Sequence, residues 1–216
     1  MDPYQELSEV PFASALVPHD GGWWPDETYD AVHVDGGTLT GANAMDSRFM
    51  ECAFTQVTFE GGSFRRSRFS DVWLREVRLV APELAESEWL DAAFVSTVIA
   101  GAQAHNSNLR RVVFRGCKID SVNFRCATLI DVVFDDCLLR DVDFAGATLE
   151  RTRFPGSRVS GVDFTKATLK NVDLRHADLG ISAGYDSLRG AIISTAQLIE
   201  LAPTFAQVLG ITVQDI

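Results

Sequence analysis

The sequence predicts an all-β solenoid in which the chain turns a corner every five residues and returns above itself after four corners. From Val34 to Leu179, every fifth residue is apolar, which gives thirty centre positions without a slip in register. The residue two positions before each centre is small or β-branched. A fixed period of five matches neither the 3.6-residue period of a helix nor the two-residue period of a strand. A repeat this regular decides the fold before any single motif does.

The centre residues predict what fills the interior. Between Asn108 and Leu169 they alternate between an aliphatic residue and phenylalanine. With four corners in each coil, this alternation gives phenylalanine to two opposite faces and aliphatic residues to the other two. A single coil cannot bury its own centre residues, so stability has to come from stacking on the coils above and below.

The chain divides into a cap at residues 1–31, a repeat region at 32–180 and a tail at 181–216. The cap contains seven acidic residues and no lysine or arginine. The open end of a solenoid exposes its centre residues and needs a cover. We therefore expect Trp23 and Trp24 to form lids over the first coil, with an aromatic ligand site as the alternative.

The tail has the pattern of a helix. Ser194 and Gln197 have the spacing of a capping box, and Pro203 predicts two short helices that meet near Ala202. The apolar residues of the tail are predicted to cover the last coil and also to form a two-fold dimer contact; covering the coil alone is the alternative. These residues are Leu198, Ile199, Leu201, Phe205, Val208 and Leu209.

Several segments carry a family resemblance. Ala147-Thr148-Leu149-Glu150-Arg151, Val142-Asp143-Phe144-Ala145-Gly146 and Ala177-Asp178-Leu179 resemble the A-(D/N)-(L/F)-x-x units of the pentapeptide repeat family. The resemblance covers about 150 of the 216 residues. It implies a right-handed quadrilateral β-helix with a five-residue face on each of four sides.

The same resemblance implies a partner. One subset of the family binds DNA gyrase as a mimic of duplex DNA and protects it from quinolones or peptide toxins. The unbroken register and the helical tail of this chain resemble the mycobacterial quinolone-resistance type. Gyrase or a related type II topoisomerase is therefore the implied partner, and a homodimer joined through the C-terminal tail is the implied assembly.

The charge distribution does not support mimicry of DNA along the whole rod. The net charge is −11, but residues 32–180 contain 20 acidic and 18 basic residues. A rod of 7.5 coils would be about 36 Å long, a length over which duplex DNA carries roughly 21 phosphate charges. Residues one coil apart instead alternate in sign, which predicts ladders of ion pairs; one column runs Asp91, Arg111, Asp131, Arg151.

Two surfaces are candidate partner sites. The first is an acidic patch for a basic partner, with an ordinary solvated surface as the alternative; it comprises Asp131, Asp135, Asp136, Asp141 and Asp143. The second is an apolar strip on an outward-facing column, formed by Trp73, Val113 and Val133. Exposed apolar strips often mark contacts, and either the N-terminal segment or a partner protein is expected to lie on this one.

The sequence predicts no catalytic, cofactor or metal site. The four histidines have no cysteine or carboxylate neighbours at metal-ligand spacing, and no phosphate-binding loop or hydrolase motif occurs. We therefore expect a non-enzymatic rod that acts by binding another protein, without direct contact to nucleic acid or membrane. The alternative is a structural or regulatory scaffold that does not contact a topoisomerase.

The expected compartment is the cytoplasm. No apolar stretch approaches the roughly 18–20 residues of a membrane span, and the first basic residue is Arg48, so a signal peptide is not expected. Cys52, Cys117 and Cys137 occupy inward positions, as cysteine does when it serves as a small apolar residue in a reducing compartment. Cys117 and Cys137 lie in one column, so a disulfide between them is the alternative.

Overall fold

The computed structural model describes residues 4–214 and is a parallel β-solenoid. Each coil contains twenty residues, so that residue n pairs with residue n+20: Phe94 lies beside Phe114, and Phe114 beside Phe134. Two sides of the rod are eight-stranded parallel sheets, and a third is a seven-stranded sheet. The predicted quadrilateral β-helix is confirmed.

We number the four sides in chain order, starting from the one that contains Val34. Face 1 comprises Val17–Pro18, Val32–Asp35, Ala53–Thr55, Trp73–Arg75, Ala93–Val95, Val113–Arg115 and Val133–Asp135. Face 2 comprises Thr38–Thr40, Thr58–Glu60, Arg78–Val80, Val98–Ala100, Lys118–Asp120, Leu138–Arg140, Arg158–Asp163 and Asp178–Ala183. Face 3 consists of turns joined by single bridges, from Asn43 beside Ser63 to Asp143 beside Asp163. Face 4 comprises Thr28–Asp30, Arg48–Met50, Arg68–Ser70, Glu88–Leu90, Asn108–Arg110, Thr128–Ile130, Thr148–Glu150 and Thr168–Lys170.

The remaining elements lie at the two ends of the rod. The short strands Val172–Asp173 and Ala191–Ile192 pair in parallel and continue face 1 after a break. Three 3₁₀ turns span Leu7–Glu9, Ala13–Ala15 and Tyr185–Ser187. One α-helix, α1, spans Thr195–Val208.

Most corners are made by a residue with left-handed backbone, two positions after the centre. Asp91 has φ 54°, Arg111 has φ 53° and Asp131 has φ 57°. This conformation costs an ordinary residue about 1 kcal/mol. The corners are held because their backbone groups bond to the next coil, as the N–H of Arg111 does to the carbonyl of Ile130 at 3.0 Å.

The interior contains the predicted aromatic and aliphatic columns. On face 1, the ring of Phe134 lies 4.9 Å from the rings of both Phe114 and Phe154, stacked nearly parallel to each. On the opposite face 3, Phe144 stacks on Phe124 and Phe164 at 5.5 and 5.6 Å. Because Phe134 is fully buried between two rings, each coil depends on its neighbours for its own core.

The inward cysteines are free thiols. Cys52, Cys117 and Cys137 are buried, and the thiol of Cys137 donates to the carbonyl of Phe114 at 3.3 Å. Burial raises the pKa of Cys52 to about 11, so this side chain is a neutral thiol at physiological pH. The structure contains no disulfide between Cys117 and Cys137.

The N-terminal segment closes the first coil with one tryptophan, not two. The indole of Trp23 is buried, 4.7 Å from the ring of Tyr29 and 5.6 Å from that of Phe49. Trp24 is 66% exposed, so the prediction that it also forms a lid is wrong. Its backbone contributes instead, since the N–H of Trp24 donates to the hydroxyl of Tyr29 at 2.8 Å.

The tail forms one helix, so the prediction of two helices that meet at Pro203 is wrong. The capping box is confirmed: Ser194 Oγ accepts from the N–H of Gln197, and Gln197 Oε1 accepts from the N–H of Ser194. Pro203 and Ile199 both lie on the exposed side of α1. Water can therefore satisfy the carbonyl of Ile199 that a proline cannot bond, which lets the helix continue.

Helix α1 covers the last coil through a buried amide. The Nε2 of Gln197 donates to the carbonyls of Leu174 and Ala177 at 2.7 and 2.8 Å, which occupies acceptors that would otherwise face an open end. Leu201 is 8% exposed, one turn further along α1. The covering role predicted for the tail is thus carried by Gln197 and Leu201.

Candidate protein-binding surface

The N-terminal segment, which we call the leader (residues 4–18), lies against the apolar column of face 1. Val10 is buried with Ala53 and Trp73 in a small apolar cluster. The indole Nε1 of Trp73 donates to the carbonyl of Tyr4 at 2.9 Å, and the carboxylate of Glu6 forms an ion pair with Arg75. The leader therefore binds this face through an apolar contact, a backbone contact and a charge.

Trp73 is not available to a partner while the leader is in place. Its side chain is 2% exposed, so the prediction that Trp73 contacts a partner is wrong for this conformation. The same column continues beyond the leader through Ala93, Val113 and Val133. Val113 is itself only 8% exposed, so the part of the apolar strip left for a partner is the half-buried Val133.

Two adjoining cavities follow this column. One, of about 520 Å³, lies between the leader and face 1 and is lined by Phe12, Trp73 and Ala93 among others. The other, of about 460 Å³, extends along the face to Ile192. Both are lined by Arg111 and Val113, so together they form one groove, which we call the face 1 groove.

The face 1 groove is bordered on one side by a rail of ion pairs. On the corner with face 4, Arg111 forms a two-pronged pair with Asp91 at 2.6 Å. Arg151 pairs in the same way with Asp131 at 2.6 and 2.9 Å, and this hydrogen bonding lowers the pKa of Asp131.

A further ion pair lies at the other edge of face 1, apart from the residues that line the groove. There, Arg115 lies 2.8 Å from Asp135. The predicted ladders are confirmed, and the ladder that borders the groove leaves that side close to neutral.

The two ends of the groove carry charged side chains that are not part of this rail. At the leader end, the wall contains the carboxylates of Glu51 and Asp71; burial, with a smaller contribution from nearby Asp91, raises the pKa of Asp71. At the other end, Arg153 follows Val133 in the column. Arg153 lies beside Asp173, but both oxygens of Asp173 are already held by Arg175. At the leader end, the guanidinium that acts on Asp71 is that of Arg111, which is paired with Asp91.

The five residues of the predicted acidic patch lie around one coil, not on one face. Asp131, Asp136 and Asp141 occupy three successive corners, while Asp135 is on face 1 and Asp143 on face 3. This distribution places their carboxylates on different sides of the rod.

Three of these five carboxylates have basic partners: Asp131 pairs with Arg151, Asp135 with Arg115, and Asp143 with Arg125 at 2.9 Å. Asp136 and Asp141 form no ion pair within residues 4–214, although Arg140, which is paired with Asp120, lies close enough for its charge to act on Asp141. The negative charge that a basic partner could reach on this coil is thus that of Asp136 and Asp141.

The outer side of α1 is apolar. Ile199 is 69% and Leu209 is 73% exposed, and Leu198 and Val208 are about half exposed. Leu201 is buried against the rod, so its predicted part in a dimer contact is wrong, and Phe205 is half-buried. The exposed residues that remain for the predicted dimer contact are Leu198, Ile199, Val208 and Leu209, with Phe205 at the edge of this surface.

The described residues form neither a cluster of metal ligands nor a large cavity inside the rod. No three histidine, cysteine or carboxylate side chains among residues 4–214 lie together as a metal site. Two cavities inside the rod measure only about 20 Å³ each. Across the same range, no helix has the length and apolar character needed to cross a bilayer.

Sequence reasoning did not find the face 1 groove. It treated the rod as solid and identified only the apolar column that became the floor. The signal was present in one further column. When residues n and n+20 are stacked, the alternating charges of Asp91, Arg111, Asp131 and Arg151 mark one edge of a channel. Where the leader crosses the face depends on long-range packing, which no local pattern encodes.

A match to a protein-family model agrees with this architecture. Residues 87–163 match a family model described as a pentapeptide repeat region, and no curated protein sequence matches the chain. Among solved structures, the chain is similar to QnrB1, a plasmid-mediated fluoroquinolone resistance protein, with 15% identity, TM-score 0.35, and 80% of this chain and 99% of that one covered.

Two further solved structures are also similar to the chain. HetL from the cyanobacterium Nostoc, a pentapeptide repeat protein involved in heterocyst differentiation regulation, has 18% identity and TM-score 0.35 over 79% of this chain and 90% of that one. A pentapeptide repeat protein from the thylakoid lumen of Arabidopsis thaliana has 11% identity and TM-score 0.43, over 56% and 74%. Residues 87–163 therefore match the pentapeptide repeat family, and the same five-residue register continues on both sides of the match.

Proposed function

We propose that this protein is a non-enzymatic, homodimeric rod that acts by binding another protein. The observation that carries the proposal is the apolar outer side of α1, where Ile199 and Leu209 project from a helix whose inner side already covers the rod. Contiguous exposed apolar surface is typical of a protein contact. In a two-fold dimer the same surface of both copies forms the contact, so this one apolar surface is sufficient to build it.

The dimer gives a direct test. In the double variant Leu198→Glu with Ile199→Glu, we expect the chain to sediment as a monomer, whereas the unaltered chain sediments with the mass of two chains. Four carboxylates would be buried without partners across a two-fold contact, which is strongly unfavourable. Gln197 and Leu201 stay in place, so the cover of the last coil is retained.

Leu138→Glu is the matched control for the dimer test. Leu138 is an exposed apolar residue on face 2, away from the tail, and this variant should sediment like the unaltered chain. An unaltered chain that sediments as a monomer, or a double variant that stays dimeric, contradicts the proposal.

The first partner to test is a type II topoisomerase, because the unbroken register and the helical tail resemble the gyrase-binding members of the family. The ion-pair ladders argue against a contact in which the whole rod imitates DNA, since their charges are neutralised in pairs. A contact with a basic surface would depend on Asp136 and Asp141 on each half of a dimer.

A supercoiling assay with purified gyrase, with and without a quinolone, tests this partner. We expect micromolar protein to inhibit supercoiling or to reduce the effect of the drug, and we expect Asp136→Asn with Asp141→Asn to weaken that effect. Glu60→Gln removes an exposed carboxylate of face 2 several coils away and should have no effect. Absence of both inhibition and protection would remove the topoisomerase and favour a scaffold with another partner.

A further inference from the structure

We propose that the face 1 groove is a binding site for an extended peptide segment of a partner protein, with apolar residues between a basic residue at one end and an acidic residue at the other. The basic residue would lie beside Asp71 and Glu51, and the acidic one beside Arg153. The inference rests on the proposed function as a protein-binding rod and assigns it a surface and a ligand class.

The leader shows how this face binds a peptide. It places Val10 on the floor formed by Ala53 and Trp73, and it pairs Glu6 with Arg75 at the edge. The uncovered part of the column repeats this arrangement. Val133 and the largely buried Val113 supply the floor, and Arg153 supplies a cation whose neighbour in the column, Asp173, is already paired with Arg175.

The opposite end of the groove, beside the leader, would favour a basic residue of the bound peptide. Asp71 is partly desolvated beside the leader, and the guanidinium of Arg111, whose charge acts on it, is already held by both oxygens of Asp91. A lysine or arginine brought by a partner would reach a carboxylate that lacks a hydrogen-bonded cation. Its aliphatic stem would lie on the apolar lining near Phe12 and Ala93.

The spacing sets the length of the segment. The coil of Asp71 and that of Arg153 are four coil steps apart, about 19 Å at the spacing of parallel strands. An extended chain covers this distance with about six residues. Its alternate side chains would face the floor, which predicts apolar residues at every second position between the charged ends.

A peptide selection tests the proposal. A displayed library of random heptapeptides is selected on the full chain, and the strongest binder is made as a labelled synthetic peptide for fluorescence polarisation. We expect selected sequences with a basic end, alternating apolar residues and an acidic end. A selection that yields no binder, or binders without this charge pattern, overturns the proposal.

Variants of the protein then locate the bound peptide. Val133→Asp should weaken binding more than tenfold because it places a charge on the floor. Arg153→Glu should weaken it about threefold to fivefold, the range of an exposed ion pair, and a peptide with lysine in place of its acidic residue should recover the loss. Lys118→Glu makes the same charge change on face 2 and should have no effect.

Asp71→Asn tests the other end without loss of the fold. Burial raises the pKa of Asp71 above its unfolded value, so the ionised carboxylate destabilises the fold once the pH exceeds that pKa. The variant should therefore melt no lower than the unaltered chain at neutral pH, while it binds the basic-ended peptide about threefold to fivefold more weakly. Peptide binding that is indifferent to both Asp71→Asn and Val133→Asp overturns the proposal even if the dimer and gyrase tests succeed.

Discussion

Replacement of Phe134 by alanine is expected to lower the free energy of unfolding by about 3–5 kcal/mol, the range of a buried phenylalanine truncated to alanine. Phe134 is fully buried and loses two stacked neighbours at 4.9 Å, Phe114 and Phe154. The cavity cannot collapse easily, because hydrogen bonds between coils fix the spacing of the strands. Urea unfolding followed by circular dichroism measures the loss.

The loss of stability in this variant should be concentrated in the coils next to Phe134. In a solenoid each coil contacts only its neighbours, so a weakened coil uncouples the parts on either side. We expect hydrogen exchange to rise first in the coils next to Phe134. Leu138→Ala is the control on the same coil, since Leu138 points outward from face 2, and it should cost under about 1 kcal/mol. Equal losses for the two variants would contradict the column model of the core.

Replacement of Gly184 by alanine is expected to release the tail from the rod. Gly184 has φ 82°, and a Cβ there would lie 2.2 Å from the carbonyl carbon of Phe164. The left-handed backbone alone costs alanine about 1 kcal/mol, and the contact with main-chain atoms forces the chain apart. We expect a loss of more than about 3 kcal/mol in the local stability of the tail, measured as faster hydrogen exchange in α1.

The matched control for this change is Gly116→Ala. Gly116 also has positive φ, at 60°, but the nearest atom to its Cβ would be Ser96 Oγ at 3.8 Å, an ordinary contact. This variant carries the backbone cost without the clash, so it should leave the exchange of α1 unchanged. If the tail is released in Gly184→Ala, the dimer should be lost with it. A tail that stays protected would show that its attachment does not depend on this turn.

Much of the fold follows from the sequence because the repeat fixes each residue's direction. Once Phe114, Phe134 and Phe154 are placed one coil apart, the columns and the ion pair of Arg115 with Asp135 follow without further information. The corners were not predictable from residue type. Asp91 and Arg111 adopt positive φ without being glycine or asparagine, because the register of neighbouring coils imposes it.

The parts outside the repeat were less predictable. Trp23 and Trp24 are adjacent and chemically identical, yet it is the ring of Trp23 that packs on the rings of Tyr29 and Phe49. Pro203 usually ends or kinks a helix, but it is tolerated on the exposed side of α1. The path of the leader over Trp73 joins residues 69 positions apart, which a local pattern cannot reveal.

The candidate binding surfaces were also predictable only in part. The apolar column was visible in the sequence, while its cover by Val10 and Tyr4 was one of two open outcomes. The acidic patch was a run of residues close in sequence, and winding the chain distributed them around the rod. Sequence proximity means spatial proximity in a helix or a hairpin, but a five-residue corner turns Asp136 and Asp141 toward different sides.

The left-handed corners have a consequence for how such a protein diversifies. Because the conformation at each corner is imposed by the stack, side chains as different as Asp91, Arg111 and Cys126 occupy equivalent places. A substitution at a corner changes the outer surface of the rod and leaves the packed interior unchanged. Recognition in this architecture can thus change one position at a time, and each new specificity starts from a chain that already folds.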